Sequence, residues 1–160
     1  MTKYQFIIAI IPMIGFSCIY EESSYTESII SNKTAHSIII IPYYQGYIVH
    51  EDVLYISKGS DTTVLRKSNR GKGTGYSYFD HLAIFDSTQI AFDDTVKLIH
   101  YSYYSTNSGF GSTGIPYTHN RSIYNGDNYI RRIVSERKHK ISNEYTFTFT
   151  EQDYLEAKGK

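Results

Sequence analysis

The segment Tyr145-Thr146-Phe147-Thr148-Phe149 alternates aromatic residues and threonine without a break, and it sets the tightest limit on what this chain can fold into. Successive side chains of a strand point to opposite faces, so the aromatics at 145, 147 and 149 share one face and the threonines the other. A helix would scatter the same residues around its circumference. Composition extends the preference to the rest of the chain: tyrosine occurs 17 times and phenylalanine 8 times, with no tryptophan. Tyr, Phe, Ile and Thr all suit the pleated, half-buried surface of a sheet. With 41% hydrophobic and 20% charged residues, the chain has the content of a globular protein rather than a disordered one. Its 160 residues suffice for one domain.

Further strands follow from local pattern. His36 to Tyr44 holds a β-branched run suited to a strand buried on both faces, with Pro42 limiting its length or placing its end at an edge. Gly46 breaks the chain, and Tyr47 to Ser57 alternates imperfectly, as a bulged strand would. Lys58-Gly59-Ser60-Asp61 is a turn, Thr62 to Arg66 a short strand, and Lys67 to Ser77 a polar, Gly-rich loop. His81 to Phe85 reads as a strand. Gln89-Ile90-Ala91-Phe92 and Val96 to Tyr101 flank Asp93-Asp94-Thr95, which predicts an antiparallel hairpin. Ser105 to Asp127 is too long for a plain connector, so it is functional or mobile. Tyr129 to Ser135 fits a strand or a short helix, with strand preferred. Thr150-Glu151-Gln152-Asp153 resembles a capping box and predicts a helix over Glu151 to Lys158, ended by Gly159. The expectation is an all-β domain. It would be a single β-sandwich of about seven strands, with the immunoglobulin-like sandwich as one form of it, closed by a short C-terminal helix.

The first residues carry a different message. Lys3 precedes Phe6 to Phe16, an apolar run too short for a ~30 Å hydrocarbon core, which needs ~20 residues. That is the make-up of a signal peptide. Gly15-Phe16-Ser17-Cys18 follows at once and resembles a lipobox, with Gly15 where that motif usually has Leu and Ile14 adjacent. Cys18 is the one cysteine of the chain, so no intramolecular disulfide and no cysteine-rich zinc site can form. Lipidation of Cys18 is the expectation, and two or more acyl chains hold a protein stably to a bilayer. The division expected is a signal peptide over residues 1–17, a lipid-anchored flexible linker over 18–31, and a β-sandwich over 32–160. Glu21 and Glu22 resemble the acidic surface-export signals of some lipoproteins, or serve a solvated linker.

Asn32-Lys33-Thr34-Ala35-His36, Ser87 to Asp94, Asp127-Asn128-Tyr129 and Tyr145 to Tyr154 together resemble a family of small uncharacterised lipoproteins from Gram-negative gut bacteria. The resemblance covers most of residues 32–157. It implies a lipid anchor and a compact β domain. The location expected is the bacterial outer membrane, on the periplasmic or the cell-surface side. It implies no activity and no catalytic residue.

Motifs for chemistry are sparse. The six histidines show no zincin spacing, so no metal site is expected. Gly71-Lys72-Gly73-Thr74-Gly75 lacks the ending of a phosphate loop, and Asp93-Asp94 lacks the spaced oxygens of a calcium loop. No cofactor and no catalytic residue is expected. Lys plus Arg and Asp plus Glu both number 16, so no global field steers the chain to nucleic acid. Arg131, Arg132, Arg137, Lys138 and Lys140 form a local basic patch, which could bind an anionic glycan or a lipid headgroup but is read first as a solvated hairpin edge that deters edge pairing. The aromatic clusters stand out: Tyr43, Tyr44 and Tyr47, and Tyr101, Tyr103 and Tyr104 beside Phe110 and Tyr117. A tyrosine offers an apolar face and a polar tip. Tyr101, Tyr103, Tyr104, Phe110 and Tyr117 are therefore the candidate surface for a glycan, peptide or protein ligand. The leading expectation is a lipid-anchored, non-enzymatic binding or assembly module of the cell envelope. The alternative is a hydrolase of envelope or dietary polymers.

Overall fold

The computed structural model describes residues 22–71, 76–107 and 114–159. The signal peptide, Cys18 and Phe110 lie outside these residues, as does most of the Gly71–Gly75 loop.

Among the described residues, nine strands form two packed sheets, an all-β sandwich with a short C-terminal helix. In chain order the strands are β1 (Ser23–Asn32), β2 (Ile38–Tyr44), β3 (Tyr47–Ile48), β4 (Leu54–Ile56), β5 (Asp61–Arg70), β6 (Ser87–Phe92), β7 (Val96–Tyr101), β8 (Ile130–Arg137) and β9 (Lys140–Phe149). The helices are α1 (Tyr78–Leu82), α2 (Tyr103–Asn107) and α3 (Glu151–Lys158). One sheet runs β5-β1-β9-β8; the other runs β3-β2-β6-β7, with β4 also paired to β2. Between these strands all pairings are antiparallel except β1 with β9, which run parallel from Ser23↔Lys140 to Asn32↔Phe149.

β1 corrects the expected linker. Residues 23–31 are not a flexible tether but most of a central strand, so the sandwich takes in Ser23 to Ser31 as well as the residues from 32 on. The cause lies in the inward face. Ser24, Thr26 and Ser28 are buried and alternate with Ser23, Tyr25 and Glu27 on the other face. Small hydroxyl residues carry the period of a strand but not the hydrophobicity that normally reveals it. The buried face turns apolar only at Ile30, opposite Phe147 of β9.

Elsewhere the local signals hold. In β9 the inward residues Phe147 and Phe149 are almost fully buried and pack edge-on at 4.9 Å, and Phe92 of β6 meets Phe149 at 6.3 Å. Burying each such ring is worth roughly 1.5–3 kcal/mol. β6 and β7 form the predicted hairpin, pairing Phe92 with Val96. Its turn places Asp93 and Asp94 at positive φ, 47° and 58°, where Asp is better tolerated than most residues. Residues 130–137 form a strand, β8, which is the exposed edge of its sheet. Pro42 sits in the interval where β2 stops pairing with β4, at Ile40, and has not begun pairing with β3, at Tyr43. A residue without an N–H fits at such a gap in a ladder.

Three other expectations are corrected. β5 runs on to Arg70, so the expected loop over Lys67 to Ser77 is strand for its first four residues. His81 to Phe85 does not form a strand: α1 starts at Tyr78, capped by Ser77, whose amide donates to Asp80 Oδ2 at 2.7 Å. The Ser-x-x-Asp spacing of Ser77 to Asp80 overrides the short apolar run, and Leu82 and Phe85, three residues apart, are both buried. Tyr47 to Ser57 is not one bulged strand but β3, a 3-10 turn over His50–Asp52, and β4.

Candidate functional site

The candidate site lies at one end of the five-stranded sheet, where four segments meet. Gln45 and Gly46 come from the β2–β3 turn, Asp86 and Ser87 from the start of β6, Tyr101 from the end of β7, and Tyr104 and Ser105 from α2. Together they line a pocket of about 430 Å³. That is within the usual ~300–1,000 Å³ of small-molecule sites.

Asp86 organises this pocket. Its amide donates to Tyr43 O at 2.9 Å, and its carbonyl accepts from the Ser102 amide at 3.0 Å and from the Ser105 hydroxyl at 2.5 Å. Its carboxylate Oδ2 accepts the Gln45 amide. One residue therefore ties β2, the β2–β3 turn and α2 together. Gln45 and Gly46 both have positive φ, 51° and 82°, and Tyr44 pairs with Tyr47, giving a two-residue hairpin turn. Glutamine has no side-chain advantage in the left-handed region, and the Asp86 carboxylate supplies a fixed partner for its amide there.

Tyr101 is placed by a close backbone approach. The segment at Ile115 adds a rung beside β7: the Ile115 amide donates to Ile99 O and the Tyr101 amide to Ile115 O, both at 2.8 Å. A Cβ on Gly114 would lie 2.3 Å from the Tyr101 ring and 2.5 Å from Ile99 O. Only a residue without a side chain fits there.

Of the tyrosine surface predicted from sequence, Tyr101 and Tyr104 share the pocket. Tyr103 packs edge-on against Tyr104 at 5.6 Å and against half-buried Tyr117 at 5.1 Å, so these three form one group, which Tyr104 joins to the pocket it shares with Tyr101. Tyr103 and Tyr104 do not continue β7. They open α2, and both rings face outward, 54% and 68% exposed, where a strand would turn one of them inward. The sequence reading missed Asp86, Gln45, Ser87 and Ser105. Gln45-Gly46 between tyrosines was a legible hairpin signal, whereas nothing local marked Asp86.

Three histidines make their contacts elsewhere. His36 Nδ1 lies 2.6 Å from Asp93 Oδ2 and its Nε2 3.5 Å from Glu151 Oε1, and the ring stacks on Tyr154 at 3.7 Å. This set latches α3 to the β6–β7 turn. The His36 ring, with the Ser37 amide and hydroxyl, holds the Asp93 carboxyl below its ordinary range. His81 meets Asp52 at 3.1 Å, and buried His100 accepts the Ile123 amide at Nδ1. Among the described residues, no group of three or more His, Cys, Asp or Glu is arranged to hold a metal ion. Nor is any described helix long and apolar enough to cross a membrane. In the core, burial raises the phenols of Tyr78, Tyr124 and Tyr129, which favours their neutral forms.

Comparison with family models, with curated proteins and with solved structures finds no match to this chain.

Proposed function

We propose that this protein is a lipid-anchored lipoprotein of the bacterial outer membrane, on its periplasmic or cell-surface side, that acts as a non-enzymatic binding module. The anchor rests on Cys18 at the end of a short apolar run. The observation that carries the binding reading is the convergence of Tyr101 and Tyr104 on one pocket fixed by Asp86. Rigid aromatic rings give a large contact area at low entropic cost, and a scaffold-fixed turn keeps them in position.

Two measurements test it. Cells expressing wild type or Cys18→Ala are labelled with a fatty-acid analogue, and the wild type alone should carry label; equal labelling of both removes the anchor. The full chain in detergent is then presented to arrays of glycans, peptides and small organic ligands, with Tyr104→Ala beside it. Ligands retained by wild type and lost by the variant support the reading. Retention that Tyr104→Ala leaves unchanged removes this pocket as the site, and release of cleaved product favours a hydrolase.

A further inference from the structure

The pocket at Asp86 has one electrostatic sign. We infer that it binds a small organic cation, an alkylammonium compound held between the Asp86 carboxylate and the faces of Tyr101 and Tyr104; this rests on reading the pocket as the binding site.

The argument starts from which polar groups remain for a ligand. The Gln45 backbone amide is spent on Asp86 Oδ2, and the Ser105 hydroxyl on the Asp86 carbonyl at 2.5 Å. Ser87 lies within the ladders to Tyr43 and Tyr101. The Gln45 backbone amide and the Ser105 hydroxyl are thus satisfied internally, and the Ser87 backbone is paired. The one charged group of the described lining is the Asp86 carboxylate, with one oxygen beyond the Gln45 bond, set beside two aromatic rings and the neutral side chains of Gln45 and Ser87. An aromatic face carries the negative end of its quadrupole, so the rings and the carboxylate attract the same sign of charge. Among the described lining residues there is no Lys, Arg or His to offset that field. An anion would meet repulsion on three sides. A neutral ligand would take nothing from the charge of Asp86 beyond a hydrogen bond. An ammonium group with an apolar body uses all three elements at once, and the volume of about 430 Å³ suits a small molecule rather than a polymer.

The test is a set of titrations of the full chain in detergent, followed by calorimetry and by tyrosine ring resonances. The probes are choline, tetramethylammonium, n-butylammonium, the neutral choline isostere 3,3-dimethylbutanol, a methyl glycoside, and acetate. At least one cation should bind, with its neutral isostere weaker by roughly tenfold or more, a gap typical of a cation held on aromatic faces. Asp86→Asn should remove that preference for charge. Because Asp86 also holds the Gln45 turn, Tyr104→Leu serves as the second variant; it keeps apolar bulk at an exposed position and should weaken the cation alone. Equal binding of choline and its neutral isostere overturns the inference, as does a glycoside or acetate that binds better than any cation; in both cases the pocket still binds. Silence from every probe at Tyr101 and Tyr104, together with no array ligand sensitive to Tyr104→Ala, overturns the inference and the binding reading together.

Discussion

Removing the Arg121 guanidinium should be among the most damaging single changes outside the apolar core. Arg121 lies in the long segment before β8, and Asp153 in the first turn of α3. The guanidinium grips the carboxylate with two nitrogens, Nε to Oδ1 at 2.7 Å and Nη2 to Oδ2, and Nη2 also reaches Thr150 Oγ1 at 3.1 Å. The Asp153 side chain is 5% exposed and that of Arg121 30%. Losing one partner of a buried ion pair costs ~3–5 kcal/mol, because the other charge stays buried. Arg121→Ala belongs near the lower end, about 3 kcal/mol, since Asp153 Oδ2 keeps the Thr150 amide at 2.7 Å and its hydroxyl at 3.1 Å. Asp153→Asn should cost less, about 2 kcal/mol, because the Arg121 head left behind is partly solvated. For a chain of this size ~3 kcal/mol lowers Tm by about 10 °C. Urea unfolding of the full chain in detergent, followed by far-UV circular dichroism, gives both values and that of Arg121→Ala/Asp153→Asn. The double variant should cost less than the two singles added, with a coupling of about 1–2 kcal/mol. Singles below about 1 kcal/mol, or strict additivity, would refute the reasoning.

Other substitutions separate further contributions. Gly114→Ala should cost about 1–3 kcal/mol, because the new methyl meets the Ile99 carbonyl as well as the Tyr101 ring; a crystal structure of the variant should show that ring displaced. Tyr78→Phe should be neutral or stabilising by about 1 kcal/mol, since the buried Tyr78 hydroxyl has no hydrogen-bond partner among the described residues, and a clear loss on chemical unfolding would contradict this. Thr150→Ala should cost about 1 kcal/mol through the α3 cap. The phenols of Tyr78, Tyr124 and Tyr129 are raised by folding above the usual 10.0, so their contribution to stability is intact below that pH and is lost as pH rises further. A titration that follows phenolate absorbance and sheet content together should show these rings ionising only with unfolding, and full ionisation with the sheets intact would disprove it.

Local chemistry in the sequence was enough to specify β9, the β6–β7 hairpin and α3. In each the deciding interactions lie within a few residues: alternation across a pleat, two aspartates that tolerate a left-handed turn, and a threonine answered by an aspartate three positions on. The same Ser-x-x-Asp device was legible at Ser77 to Asp80, but the apolar residues from His81 to Phe85 pointed to a strand, and α1 shows that the cap prevailed. The tyrosine-rich surface was legible as composition. Its geometry was not, because strand alternation had to give way to the short helix α2.

Tertiary structure decided whatever depends on partners far along the chain. β1 carries serine and threonine inward and is buried only because β9, more than a hundred residues later, lies parallel beside it and β5 closes its other side. A strand whose inner positions are mostly serine and threonine announces no burial of its own; its neighbours in the fold supply it. The ion pair of Arg121 with Asp153 and the latch of His36 with Asp93 and Glu151 likewise join segments that no sequence window contains. So does the pocket, where Gln45, Asp86 and Tyr104 meet because the order of β3, β2, β6 and β7 brings a turn, a strand start and a helix to one end of a sheet. Residue types fix what a side chain can offer, and strand order fixes which offers meet.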